Sequence, residues 1–113
     1  MKIAREDKGD VVVLRLDGKL VGGPDAGDMK TLINDIIEEG KRSVVVDLSR
    51  VPLINSTGLG ILVSSHSTLR RSEGVVKLIN VPDRIASALQ TTWLDSVFET
   101  FDNEQAAIAS FGG

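Results

Sequence analysis

Val44-Val45-Val46-Asp47-Leu48-Ser49, followed by Pro52 and then Ile54-Asn55-Ser56-Thr57-Gly58-Leu59-Gly60, is the stretch from which the fold can be worked out. Its first five residues show little polar alternation, the pattern of a central strand covered on both faces. Pro52 ends regular structure, and a helix is expected from about Thr57 to Ser72, with Ser56 at its cap or in its first turn. A loop that leaves a buried strand and opens a helix lies beyond the strand's carboxyl end, where open α/β sheets tend to place ligands and partners. Gly58 and Gly60 are poor helix formers. Two of them at a helix start imply close approach by another backbone or molecule.

Toward the N-terminus, Val11 to Asp17 reads as a strand, β-branched at first and then alternating. Lys2 to Arg5 is expected to pair with it as a short edge strand, because Asp7-Lys8-Gly9-Asp10 has turn chemistry. Gly22-Gly23-Pro24 breaks the chain and starts a helix, with Pro24 at the first helical position. Ala26, Met29, Leu32, Ile33, Ile36 and Ile37 recur at helical spacing, and Gly40 stands where a helix ends. Toward the C-terminus, Val75 to Ile79 is a strand, and Pro82 precedes a short helix through Leu89. An extended piece falls near Phe98 to Phe101. Asp102 or Asn103 caps a last helix from Glu104 to Ser110; with Asp102 as the cap, Gln105 completes a capping box.

The order β-β-α-β-α-β-α, ending in a helix, predicts an α/β fold. One small mixed sheet of about four to five strands is expected, covered by about four helices. The unit from Val44 through the second helix to Ile79 is expected to be a right-handed crossover. Residues 1–113 contain no internal repeat or linker and read as one domain; Gly112-Gly113 is read as a plain chain end.

Composition removes several function classes. Thirteen Lys and Arg stand against sixteen Asp and Glu, for a net charge of −3, with no basic run to follow a phosphate backbone. Aromatic residues make up 4% of the chain, too few for base-stacking platforms. No nucleic-acid partner is expected. The chain has no cysteine, which excludes disulfides, thiolate metal sites and cysteine nucleophiles. Residues 1–7 hold no apolar leader core, and no stretch approaches membrane-spanning length, so a cytoplasmic protein without membrane insertion is expected. No metal-ligand spacing and no P-loop pattern occurs, and no cofactor is expected.

The run Val44-Val45-Val46-Asp47-Leu48-Ser49 … Ile54-Asn55-Ser56-Thr57-Gly58-Leu59-Gly60 resembles the signature of the STAS family, the sulphate transporter and anti-sigma factor antagonist domain. The likeness extends to Leu16-Asp17-Gly18-Lys19-Leu20 and Leu78-Ile79-Asn80-Val81. In bacterial anti-sigma antagonists, the serine before the Ser/Thr-Gly pair is phosphorylated by a kinase that is also the anti-sigma factor; the matching position is Ser56. The resemblance implies a switch that binds this serine kinase when unphosphorylated, is released on phosphorylation, and is reset by a serine phosphatase. Gly22, Gly23, Asp25, Asn55, Thr57, Gly58, Leu59, Gly60 and Val63 are the expected partner-binding residues. The alternative within the family is an unphosphorylated subunit of a larger assembly, such as a lipid-transport ABC complex. Two positions depart from the usual pattern: Asn55 stands where Asp is common, and Val21 occupies a position in the first-helix entry loop where Asp is also common. Both remove negative charge beside Ser56.

Catalysis is not expected. His66, the only histidine, falls on the Leu59, Leu62 and Val63 side of the second helix and reads as a packed residue. The nucleophile-elbow pattern around Ser56 is missing. Asp47 is expected to satisfy loop amides at the strand end, and Arg70-Arg71 to be a solvated pair complementing the helix dipole.

Overall fold

The computed structural model describes residues 1–112, so Gly113 of the expected chain end lies outside the described residues. Five strands form one mixed sheet in the order β1-β2-β3-β4-β5. They are β1 (Lys2–Lys8), β2 (Val11–Asp17), β3 (Ser43–Arg50), β4 (Val75–Ile79) and β5 (Thr100–Phe101). Only the β1–β2 pair is antiparallel; β2–β3, β3–β4 and β4–β5 are parallel. Helices α1 (Asp25–Glu38), α2 (Ser56–Arg71), α3 (Asp83–Thr91) and α4 (Glu104–Phe111) cover it, as the strand–helix alternation predicts.

The two faces of the central strands explain why their sequence does not alternate. On one face Val12, Leu14, Leu16, Val44, Val46, Leu48, Val76 and Leu78 join Met29, Ile33 and Ile36 of α1, Leu62 and Leu69 of α2, and Ile85 of α3. On the other, Val11, Val13, Val45 and Ile79 pack against Ala107 of α4, with Phe101, Ile108 and Phe111 at the margin. Lys77 also points to this second face, yet is only 6% exposed. Its ammonium lies 4.4 Å from the centre of the Phe111 ring and 5.5 Å from that of Phe101, and it donates to Ser110 Oγ at 2.7 Å. A buried lysine needs such partners, and these tie α4 to the sheet.

Asp47 lies beyond the reach of α4 on that face. Its Oδ1 accepts the Ser49 N–H at 2.9 Å and the Asn80 amide at 3.4 Å, and its Oδ2 accepts from Arg15 at 3.2 Å. Burial alone would raise its carboxyl pKa; the bonds from Ser49, Asn80 and Arg15 outweigh that and hold it below the ordinary carboxylate range.

Element boundaries moved where side chains outside the periodic pattern took part. β1 runs to Lys8 rather than Arg5, because Glu6, Asp7 and Lys8 pair with Val13, Val12 and Val11 while Glu6 meets Arg15, Asp7 meets Arg5 and Lys41, and Lys8 meets Glu6 and Glu104 across the surface. A charged edge of this kind also discourages strand addition by other chains. Pro24 caps α1 instead of opening it: its carbonyl accepts the Asp28 N–H at 3.0 Å. Asn103, not Asp102, caps α4, accepting the Ala106 N–H at 2.8 Å, so the Asp102–Gln105 box does not form. A 3-10 turn at Leu94–Ser96, entered through Trp93 in the left-handed region, carries no periodic signal in the sequence.

His66 packs edge-on against Phe98, ring centres 5.1 Å apart, with Nδ1 buried and unpartnered among the described residues. Burial, aided by Arg70, pushes its pKa below the usual value near 6.5. A depressed folded pKa means the stabilising difference is complete above about pH 6.5 and is lost as pH falls from there through the folded value. His66 is the only histidine, and the shifted carboxylates Glu6, Asp7, Glu39 and Asp47 are all lowered, so their losses come at lower pH. Urea unfolding is therefore expected to show lower stability near pH 5.5 than near pH 7.5. In His66→Gln that difference shrinks; an unchanged difference would show that other groups set it.

Candidate functional site

The site is the junction where the loop after β2 meets the loop after β3. Beyond the sheet, the two chain segments continue side by side: Gly18 N–H donates to the Arg50 carbonyl, Leu20 N–H donates to that of Leu53, and Leu20 bridges in parallel to Ile54. Ser56 is the first residue of α2, and Asn55 is its cap. Asn55 Oδ1 accepts the Gly58 N–H at 2.9 Å, while its Nδ2 donates to the Val21 carbonyl at 3.2 Å. One amide thus satisfies a free N–H of the helix and ties down the neighbouring loop. A carboxylate at position 55 could cap the helix but would turn an oxygen toward the Val21 carbonyl.

The glycines divide by what surrounds them. A Cβ on Gly58 would lie 1.9 Å from the Leu20 carbonyl oxygen, so this glycine exists for close approach of the chain's own backbone. Gly22 has φ +113°, and a Cβ there would meet the Thr57 methyl at 2.9 Å. Gly60, by contrast, has nothing within 4 Å of its missing Cβ and faces open space. Gly23 is exposed, also with a positive φ.

Of the expected partner-binding residues, Asn55, Thr57, Gly60 and Gly23 are exposed around an exposed Ser56. Leu59 and Gly58 are buried, and Val63 is half-buried against the core, so these three support the helix from within. Asp25 stands apart. It is 5% exposed, with its carboxylate 3.9 Å from the Met1 amino nitrogen. A buried, engaged carboxylate cannot replace the missing acidic groups beside Ser56. Val21 and Leu53, each 38% exposed, add apolar surface on either side of the junction. The sequence reading missed both as contacts; the available signal was an apolar residue in each of two loops that end parallel strands.

The electrostatics favour an anion. No acidic residue occupies the first turn of α2, and its remaining free N–H groups carry the positive end of the helix dipole. Ser56 and His66 belong to one continuous helix, about 15 Å apart along its axis, so they form no dyad.

The STAS domain family model matches residues 2–107. BtrV of Bordetella bronchiseptica, named as a candidate anti-sigma factor antagonist, is 24% identical over 111 residues, covering 98% of this chain and 95% of its own. A crystal structure of a candidate anti-sigma factor antagonist from Thermotoga maritima superposes with a TM-score of 0.85 at 24% identity, over 96% of this chain and 92% of that one. The Bacillus cell-fate determinant SpoIIAA in its phosphorylated form gives a TM-score of 0.76 at 20% identity, over 97% and 99% of the two chains.

The geometry sets opposite expectations for the two α2 glycines. Gly58→Ala must displace the Leu20 carbonyl and is expected to cost about 3 kcal/mol or more. Gly60→Ala, in open space within a helix, is expected to stabilise by about 0.5–1 kcal/mol. Asn55→Ala loses the cap, at about 1 kcal/mol. Thermal and urea unfolding of the three variants check the order; equal effects at the two glycines would contradict the packing described.

Proposed function

The chain belongs to the STAS domain family, and from that premise we propose that residues 1–113 form an anti-sigma factor antagonist domain whose binding is switched by phosphorylation at Ser56. The observation that carries this reading is an exposed serine hydroxyl on the first residue of α2, on a helix start clasped to the neighbouring loop. Unphosphorylated, the protein binds an anti-sigma factor that is also a serine kinase, through Val21, Leu53, Asn55, Thr57 and Gly60 around Ser56. That partner surface is small and partly apolar.

Phosphorylation adds about −1.5 to −2 of charge. The domain receives it at a helix N-terminus, where about 0.3–2 kcal/mol of favourable dipole interaction is available. The partner would have to cover a desolvated dianion. A loss of about 3 kcal/mol in binding weakens the complex more than a hundredfold. The fold tolerates the modification and the complex does not, which is the asymmetry a switch needs. A serine phosphatase reverses it.

Ser56 is preferred over its neighbour for a steric reason. The Thr57 methyl lies beside Gly22, inside the junction of the two loops. The protein performs no catalysis on this reading, and the cytoplasm, where the kinase and sigma factor reside, is its compartment. Among the described residues no helix is long and apolar enough to cross a membrane.

Incubation with ATP and the anti-sigma serine kinase it binds is expected to add one phosphate by intact mass. Ser56→Ala abolishes the addition, and Thr57→Val retains it. Ser56→Asp weakens kinase binding by more than about tenfold in calorimetry. A kinase that binds the protein tightly and leaves Ser56 unmodified would sink the switch, and co-purification with transporter subunits would favour the role of an assembly subunit.

A further inference from the structure

Between α1 and α2 lies a groove, a cavity of about 360 Å³ that reaches Thr57, the residue after Ser56. From there it follows α2 past Gly60, Ser64 and Thr68 to Arg71, with Lys30 on the α1 side. We infer that this groove is the second half of the docking surface and receives an extended acidic segment of the protein that engages Ser56. The inference rests on the reading of Ser56 as a switch.

Charge is the first argument. The only charged groups lining the groove are Lys30 and Arg71, both cations, in a chain whose net charge is −3. Six of the thirteen basic side chains, Arg5, Lys8, Arg15, Lys41, Arg50 and Lys77, each meet one or more carboxylates; what distinguishes Lys30 and Arg71 is that they line one groove with no acid in it. Among the described residues neither Lys30 nor Arg71 lies within ion-pair distance of one. Arg71 Nη2 donates only to Thr68 Oγ1, at 3.3 Å, which leaves the rest of its guanidinium fork available to a carboxylate.

Shape is the second. The floor is apolar, made by buried Ile33 and Ile61, and the walls carry hydroxyls of Thr57, Ser64 and Thr68. At Gly60 nothing lies within 4 Å of the missing Cβ, so a main chain can rest directly on the helix there. From Thr57 to Arg71 the helix advances about 21 Å. Roughly six extended residues span that distance. Such a segment would place carboxylates at Lys30 and at Arg71 while its main chain bonds to the hydroxyls between them. A single small anion would meet one cation and leave the other empty.

The chemistry also accounts for the sign of the surface around Ser56. With Asn55 as its cap, the first turn of α2 holds no acidic group, and Asp25 is buried. A partner matched to this chain therefore needs less positive charge opposite Ser56 and a negative segment reaching into the groove. Such complementarity sets which partner binds and how fast it arrives.

Two measurements test it. In the first, ¹⁵N-labelled protein is titrated with an acetylated hexapeptide of alternating glutamate and glycine, with its glutamine counterpart, and with inorganic phosphate. Amide shifts at Gly60, Ser64 and Thr68 with the glutamate peptide alone are expected, and their loss in Lys30→Glu/Arg71→Glu. Absence of shifts, shifts elsewhere, or the same shifts with phosphate would overturn the acidic-segment assignment. In the second, the kinase that phosphorylates Ser56 is assayed on the same double variant. KM is expected to rise by roughly tenfold or more with kcat changed less than about twofold, and to rise less in Lys30→Gln/Arg71→Gln. Far-UV circular dichroism confirms that both variants fold. An unchanged KM overturns the groove while leaving the switch intact. Absence of any Ser56 phosphorylation removes the switch instead, and the peptide titration then decides the groove alone.

Discussion

The contact between the Leu20 carbonyl and the α-carbon of Gly58 is the constraint on which the Ser56 end of this molecule depends. A Cβ at position 58 would lie 1.9 Å from that oxygen, far inside van der Waals contact. With glycine there, the chain leaving β2 can run alongside the chain leaving β3 and continue their parallel pairing through Leu20 and Ile54. The start of α2 is then fixed against the loop before α1, and Asn55 closes the junction with one amide serving both segments. Ser56 is exposed but not loosely held. Its position is set by backbone packing below it rather than by its own side chain.

The sheet beneath supplies the rigidity that such a junction needs. β2, β3 and β4 are covered on both faces, by α1, α2 and α3 on one side and by α4 on the other. α4 is short and its apolar stripe is narrow, so its seat depends on Lys77, whose ammonium is buried between two phenylalanine rings and bonded to Ser110. Beyond the edge of α4, the exposed half of the sheet carries a polar network in which Arg15 meets Glu6, Asp47 and Glu104. Single exposed pairs of this kind contribute little. Their role here is to fill the part of that sheet face that α4 does not cover and to keep the β1 edge charged.

Much of this was legible in the sequence because its signals were periodic. The apolar runs of β2, β3 and β4 and the spacing from Met29 to Ile37 gave the central strands and α1, and the Ser49–Asp47 bond matches the role expected of that aspartate. The family resemblance named the fold, and the position of Ser56 at a helix start followed from Pro52 and the glycines. What escaped had no periodic trace. Glu6, Asp7 and Lys8 carry no strand propensity and are extended only because β2 offers partners and neighbouring charges meet them. The turn after Trp93 depends on a residue in the left-handed region that a tryptophan does not advertise. At the site, composition could say that Gly58 and Gly60 needed a reason but not that the reasons differ. One glycine admits the chain's own backbone, and the other faces open space. Asp25 was misplaced for a related reason: a first-turn acid normally faces solvent, and here its carboxylate is turned inward.

The two departures from the family pattern, Asn55 and Val21, make sense together. Asn55 donates to the carbonyl of Val21 itself, so the residue that replaces one acid holds the backbone of the residue that replaces the other. An aspartate at position 55 would keep the helix cap and lose this second bond, since an ionised carboxylate donates nothing. The change therefore exchanges charge for attachment: negative charge beside the helix start falls, and the clasp between the two loops gains a hydrogen bond. On the proposed switch, both effects act in the same direction. With no acid in the first turn of α2, a phosphate on Ser56 meets the helix dipole without a neighbouring carboxylate opposing it. With the loops tied, that phosphate has no slack segment to displace. The energetic consequence of modification then falls on whatever surface must lie over Ser56, and the domain can signal by its charge while its fold stays as it is.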